Sequence, residues 1–71
     1  MLTYPTIDAR GRSCPEPIIL TKRALENSPE GVIVIVDDVT ARNNVSRFAK
    51  MAGYHIESAQ DGLDYSIKVS R

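Results

Sequence analysis

The 71-residue sequence has one cysteine, one histidine and no tryptophan, and its nine basic residues are balanced by nine acidic ones. One cysteine cannot form an internal disulfide, a Cys-x-x-Cys redox pair or a thiolate-rich zinc site within one chain. A net charge of zero gives no whole-chain attraction for nucleic acid, so direct nucleic-acid binding is not expected. No phosphate-binding loop and no Ser/His/Asp set is present. We therefore predict neither a metal nor a cofactor.

Long apolar runs are also missing from the sequence. No run approaches the roughly 20 apolar residues that a membrane-spanning helix needs. The N-terminus has neither the basic region nor the apolar stretch of a signal peptide. A lone cysteine is typical of a reducing compartment, so we predict a cytoplasmic location with no membrane partner. The length predicts a single domain, residues 1–71, with a small core.

Two helices are predicted from apolar periodicity and from their end signals. The first begins at residue 15 or 17 and ends at residue 27, and its apolar face carries Ile18, Thr21 and Leu25, with Ala24 beside them. The second has N-cap candidates at Asp38 and Thr40 and ends at Gly53. Its i, i+3, i+4, i+7 positions are all apolar: Val45, Phe48, Ala49 and Ala52.

Four strands are predicted around these helices. Residues 4–8 form a short first strand, and residues 32–36 form a β-branched strand that is covered on both faces or central in a sheet. A third strand over residues 54–59 and a fourth are joined by a hairpin turn at Asp61-Gly62. The fourth is predicted from alternating apolar residues: Leu63, Tyr65, Ile67 and Val69. The order βαβαββ with right-handed crossovers predicts an α/β (α+β) two-layer sandwich, a mixed four-stranded sheet with both helices on one face.

The single thiol lies in the tetrad Cys14-Pro15-Glu16-Pro17, at the predicted start of the first helix. A thiol ahead of a helix N-terminus faces unpaired N–H groups and the positive end of the helix dipole, which favour the nucleophilic thiolate. The dipole contributes about 0.3–1 kcal/mol, less than one pKa unit, so a cation is needed as well. Arg12 is the first candidate and Arg10 the second. The sequence leaves open whether Cys14 is the N-cap or stands further out, with the helix beginning at Pro17.

The other polar residues point less clearly to chemistry. His55 lies in a predicted strand without an evident partner, which is typical of a surface residue. Asp37 and Asp38 follow the buried strand and could suggest a metal or acid pair, but helix capping through Asp38 or Thr40 explains them more simply.

The run from Asp8 to Ile18, with its Cys-Pro-x-Pro tetrad, resembles the signature of the TusA/SirA-like family of small sulfur carriers. Residues 21–25 and 44–54 are similar to the N-terminal domain of YedF-like proteins, which are associated with selenium metabolism. YedF-like chains usually continue into a DsrE-like domain, whereas this sequence stops at Arg71. The resemblance therefore describes either a stand-alone carrier or a domain cut from a longer protein.

This resemblance implies a function for Cys14. It would accept a sulfur atom from the persulfide of a protein donor such as a cysteine desulfurase. It would then pass that atom to a protein acceptor in tRNA thiolation, cofactor synthesis or selenium metabolism. The chain would be a sulfur-transfer carrier rather than a stand-alone enzyme. Cys14 is the reacting residue, and its supporting motif consists of Pro15, Glu16, Pro17, Arg12 and Arg10.

Two alternatives stay open on the sequence. The first is a non-catalytic regulatory or binding module, for protein or RNA, because the predicted fold also resembles the C-terminal domain of a bacterial translation initiation factor that contacts RNA. The second is a one-cysteine redox or peroxide-reducing protein, which would need an external thiol to complete each cycle.

Overall fold

A computed structural model describes residues 4–12 and 16–71 of the chain. Its elements follow the predicted order βαβαββ: β1 (Thr6–Asp8), α1 (Glu16–Asn27), β2 (Gly31–Val36), α2 (Val39–Met51), β3 (His55–Asp61) and β4 (Asp64–Ser70). The four strands form one sheet in the order β1-β2-β4-β3. Strand β1 pairs parallel with β2, and the other pairs are antiparallel, so the sheet is mixed as predicted.

The core lies between one face of the sheet and both helices. Helix α1 packs on β1 and β2, α2 packs on β3 and β4, and the helices contact each other. The central strands contribute alternate residues to this face, all fully buried: Val32, Val34, Val36, Ile67 and Val69. Thr21, Leu25, Val45 and Ala49 face them from the helices. The two-layer sandwich is thus confirmed, and so are the predicted helix faces except at Ala52.

Strand β2 is central in the sheet, which is one of the two placements that its β-branched run predicts. Ile33 and Ile35 lie on the face opposite the helices, and they are only half-buried.

The described core contains one buried polar side chain, Thr21, on the helix side of the sheet. Its hydroxyl donates a hydrogen bond to the Pro17 carbonyl oxygen at 2.8 Å. No buried side-chain polar atom of the described residues lacks a partner.

Two apolar positions are not where the periodicity predicts them. Leu63 is 89% exposed and lies with Gly62 in the two-residue turn between the paired residues Asp61 and Asp64. The positive φ of Gly62, +64°, at the first turn position is the pattern of a type II′ hairpin turn. Ala52 is exposed because α2 ends at Met51, one residue before it. The prediction was wrong at Leu63 and Ala52 because chain reversals take both residues out of their elements.

Candidate functional site

Cys14 lies outside the described residues, together with Ser13 and Pro15. The residues two positions before and after Cys14 are described, and they contact each other. The Nη1 atom of Arg12 donates to Oε2 of Glu16 at 2.8 Å, and both side chains are about half exposed. The cation that the sequence places nearest to the thiol is therefore paired with the carboxylate of the tetrad itself.

A small cleft opens between the N-terminal ends of the two helices. Its volume is about 40 Å³, and its wall is formed by Arg12, Pro17, Ile18, Asp38, Thr40, Ala41 and Asn44. Helix N-termini carry partial positive charge, so two such ends meet at this cleft. The site of a drug-sized ligand measures about 300–1,000 Å³. The cleft can therefore receive a small group but cannot enclose a substrate of that size.

Both aspartates after β2 have separate structural roles. Asp38 is the N-cap of α2 and accepts a hydrogen bond from the Ala41 N–H at 2.7 Å, which confirms the capping interpretation. Asp37 instead accepts a hydrogen bond from the backbone N–H of Gly11 at 2.9 Å. Gly11 has a φ of +72°, so the loop turns there in a conformation that glycine adopts readily. Asp37 thus attaches the loop that precedes Cys14 to the end of β2.

Arg10 is held by two carboxylates. Its Nε and Nη2 atoms donate to the two oxygens of Asp8 at 2.9 and 3.0 Å, and its Nη1 donates to Oδ2 of Asp64 at 3.1 Å. These contacts raise the pKa of the Arg10 guanidinium, first through its hydrogen bonds to Asp8 and then through the one to Asp64. Arg10 therefore ties β1 to the start of β4. Its role as a second cation for the thiol stays a prediction.

Spacing along the sequence could not reveal these two attachments. Gly11 and Asp37 are 26 positions apart, and Arg10 and Asp64 are 54 positions apart. Asp37 and Asp64 are thus contributors to the site that sequence reasoning missed or interpreted otherwise. The available signal was the position of Asp37 just after one predicted strand and of Asp64 near the start of another, where β1, β2 and β4 meet.

The Asp8–Arg10 pair predicts a specific acid dependence of stability. Hydrogen bonds from Arg10 lower the pKa of Asp8 from 3.8 to about 2. A carboxyl whose pKa is lower in the folded state stabilises that state above its unfolded pKa, and the contribution disappears as the pH falls through the folded pKa. We expect Asp8→Asn to destabilise the protein above about pH 4 and to approach the wild type as the pH falls below about 2. Urea unfolding across this range measures the difference, and a constant difference would contradict the assignment.

The remaining candidates fall outside the cleft. His55 is exposed on the edge strand β3, as predicted for a surface residue. Within residues 4–12 and 16–71, no three His, Cys, Asp or Glu side chains come together as metal ligands. In the same part of the chain, no helix has the length and apolar character needed to cross a membrane.

The fold and the cleft define a class: a small two-layer α/β domain whose one cysteine precedes a helix that borders a cleft. Comparison with known proteins gives the family. The family model described as "Sulfurtransferase TusA" matches residues 5–71. The chain belongs to the TusA family. This confirms the predicted resemblance to the TusA/SirA-like family of sulfur carriers.

Curated relatives and a solved structure agree with this assignment. The "Putative sulfur carrier protein MJ0990" of Methanocaldococcus jannaschii is 39% identical over 63 residues, which cover 86% of this chain and 84% of the relative. The "Putative sulfur carrier protein YrkI" of Bacillus subtilis is 33% identical over 66 residues, covering 90% and 88%. The crystal structure of a SirA-like protein from Desulfitobacterium hafniense has a TM-score of 0.83 and 35% identity, with 92% and 93% covered. The closer similarity to YedF-like proteins stays a prediction.

Proposed function

We propose that this protein carries sulfur as a persulfide on Cys14. The observation that supports the proposal most directly is the family match over residues 5–71, which includes the Cys-Pro-x-Pro tetrad with the only thiol of the chain. Any covalent sulfur chemistry on a cysteine of this chain must therefore use Cys14.

The transfer is an exchange between sulfur atoms. The Cys14 thiolate attacks the terminal sulfur of a donor persulfide. The sulfur–sulfur bond of the donor breaks, and the donor cysteine leaves as a thiolate. The product is a persulfide on Cys14, with no net oxidation or reduction. In the second step an acceptor thiolate attacks the terminal sulfur of that persulfide, and Cys14 leaves as a thiolate.

The described surroundings of the tetrad suit a carrier better than a self-sufficient enzyme. The cleft bounded by Arg12, Pro17 and Ile18 is small, so the pockets that hold donor and acceptor groups must belong to the partner proteins. A second cysteine would attack the persulfide at the Cys14 sulfur, form a disulfide with Cys14 and release the terminal sulfur as sulfide. This chain has no second cysteine. We infer a cysteine desulfurase as the donor and a protein of tRNA thiolation, cofactor synthesis or selenium metabolism as the acceptor, in the reducing cytoplasm.

Release of the carried sulfur tests this proposal. The protein is incubated with a cysteine desulfurase and cysteine, separated from both and treated with cyanide, which removes terminal persulfide sulfur as thiocyanate. We expect close to one equivalent of thiocyanate per chain, and none after prior reduction. A chain with a free thiol that yields no thiocyanate would overturn carriage from this donor.

The Arg12–Glu16 pair predicts opposite effects of two substitutions on the thiol. The Cα atoms of Arg12 and Glu16 each lie within about 7 Å of the Cα of Cys14, because each is two Cα–Cα steps away along the chain. We take a charge-to-thiol distance of the same order. At that distance a surface charge shifts a thiol pKa by about half a unit to one unit. We expect Arg12→Ala to raise the pKa of Cys14 and Glu16→Gln to lower it. The rate of iodoacetamide alkylation as a function of pH measures both shifts.

The double variant is the control for this pair. Removing both charges restores the balance, so the thiol pKa of Arg12→Ala/Glu16→Gln should return close to that of the wild type. The partners of Arg10, Asp37 and Asp38 are residues other than Arg12 and Glu16, so we expect the substitutions to leave these contacts in place. Shifts of the same sign in the two single variants would show that Arg12 and Glu16 do not act on Cys14 through their charges.

A further inference from the structure

The charges of this neutral chain are divided unevenly between its two layers. Helix α2 contains three cations and no acidic residue, whereas α1 contains two of each sign. The strands carry four acidic residues and a single lysine: Asp8, Glu57, Asp61, Asp64 and Lys68. Positive charge is therefore concentrated on α2.

The cations of the strands and of the described loop before Cys14 have carboxylate partners. Arg10 and Arg12 are paired with carboxylates, and Lys68 lies 3.8 Å from Glu57. Arg42, in the first half of α2, stacks on the Tyr65 ring with its Cζ 5.0 Å from the centroid. Arg47 and Lys50 are exposed, and neither forms an ion pair with a carboxylate within the described ranges. Lys22 and Arg23 of α1 are likewise exposed and form no such pair, but their helix also carries two acidic residues, whereas α2 carries none.

Arg47 and Lys50 belong to a continuous exposed surface. We call it the α2 surface, and it is a shallow groove formed by Asn43, Ser46, Arg47, Lys50 and Met51. Met51 lies at one edge of this groove and is 83% exposed. An adaptable methionine beside an unpaired arginine is a common composition of a protein-binding surface. No described aromatic ring lies in the groove to stack on a base, which favours a protein partner over RNA.

The α2 surface lies within reach of any partner that covers the cleft. Helix α2 begins at the cleft with Thr40 and Ala41 in its wall. At 1.5 Å per residue, Lys50 lies about 15 Å further along the helix axis. A standard interface covers about 800 Å² on each partner, which corresponds to a radius of about 16 Å. A protein that covers the cleft and extends along α2 would reach Arg47 and, at the edge of an interface of this size, Lys50.

We propose that the α2 surface binds an acidic surface of the protein that donates sulfur to Cys14. The proposal rests on the carrier function proposed above. Opposite charges accelerate encounter by factors of about 10 to 10³, and the gain falls as salt screens them. A carrier that must leave its donor after each transfer suits such an attraction, because long-range charge raises the association rate more than the lifetime of the complex.

The test compares two double charge reversals during loading by a cysteine desulfurase. Arg47→Glu/Lys50→Glu is expected to lower kcat/KM for loading about tenfold at low ionic strength, and salt should reduce the difference. Lys68→Glu/Arg71→Glu reverses the same number of charges outside α2 and should load nearly as well as the wild type. The rate of Cys14 alkylation should be unchanged in both, since it needs no partner.

The outcomes separate this proposal from the carrier function. If the wild type loads and the α2 reversal loads equally well at low salt, the docking proposal is overturned while the carrier function stands. If the wild type does not load, both are overturned. A third outcome concerns RNA: the α2 reversal loads as well as the wild type, the wild type binds polyuridylate, and the reversal does not bind it. In that case the α2 surface binds nucleic acid, and the protein-docking proposal is wrong.

Discussion

Replacing Cys14 with serine is expected to abolish sulfur loading completely while leaving the fold intact. The hydroxyl of serine cannot form a persulfide, and no other thiol exists in the chain to replace Cys14. The large, fully buried side chains of the described core come from the sheet and the helices, and they include Val34, Val45 and Ile67. The loss should therefore be chemical rather than structural.

Two measurements on the same preparation separate these effects. Transfer of radiolabelled sulfur from cysteine by a desulfurase reports the chemistry, and thermal unfolding reports the fold. We expect no reducible label on Cys14→Ser and an unfolding temperature close to that of the wild type. Reducible label on the serine variant would contradict the assignment of Cys14. Loss of label together with a large loss of stability would show instead that the cysteine supports the fold.

Gly31→Ala is expected to cause the largest loss of stability among single-methyl additions at the glycines. Gly31 has a φ of +155°, and a Cβ there would lie 2.5 Å from the Val69 carbonyl oxygen and 2.9 Å from Cε1 of Tyr4. The carbonyl belongs to the backbone of the paired strand β4 and cannot move without disturbing the sheet. Overpacking and backbone strain together predict a loss of about 3 kcal/mol, a large part of the stability of a small domain.

Gly62→Ala is the matched control for this substitution. Gly62 also has a positive φ, +64°, but no atom lies within 4 Å of a Cβ placed on it. Gly62→Ala should lower the free energy of unfolding only by the cost of a positive φ for an L-residue, about 1–2 kcal/mol. Urea unfolding of the two variants measures the difference. Equal losses would mean that the contact with Val69 yields easily and that backbone conformation alone sets the effect.

Much of the fold could be predicted because its signals are local. The β-branched run of β2, the spacing of Val45 and Ala49 in α2 and the Asp61-Gly62 turn each specify an element without reference to the rest of the chain. The predicted order of elements and the two-layer sandwich followed from these signals. Leu63 was assigned wrongly because a regular alternation continued by chance into a two-residue turn.

The site could be predicted only in part, because its geometry depends on contacts between distant positions. The tetrad around Cys14 is a local motif and could be recognised directly. The strand order, which brings Asp37 to Gly11 and Asp64 to Arg10, is set by packing of the whole chain and leaves no local pattern. The pairing of Arg12 with Glu16 is close in sequence, but Arg12 lies before α1, so the spacing rule for ion pairs within a helix does not predict it.

The most direct test of the central claim is the intact mass of the protein after incubation with a cysteine desulfurase and free cysteine. We expect a gain of one sulfur atom that a reducing agent removes, and no gain in Cys14→Ser. An unchanged mass in the wild type, with its thiol shown to be free, would contradict sulfur carriage from this donor. A gain that persists in the serine variant would contradict the role of Cys14.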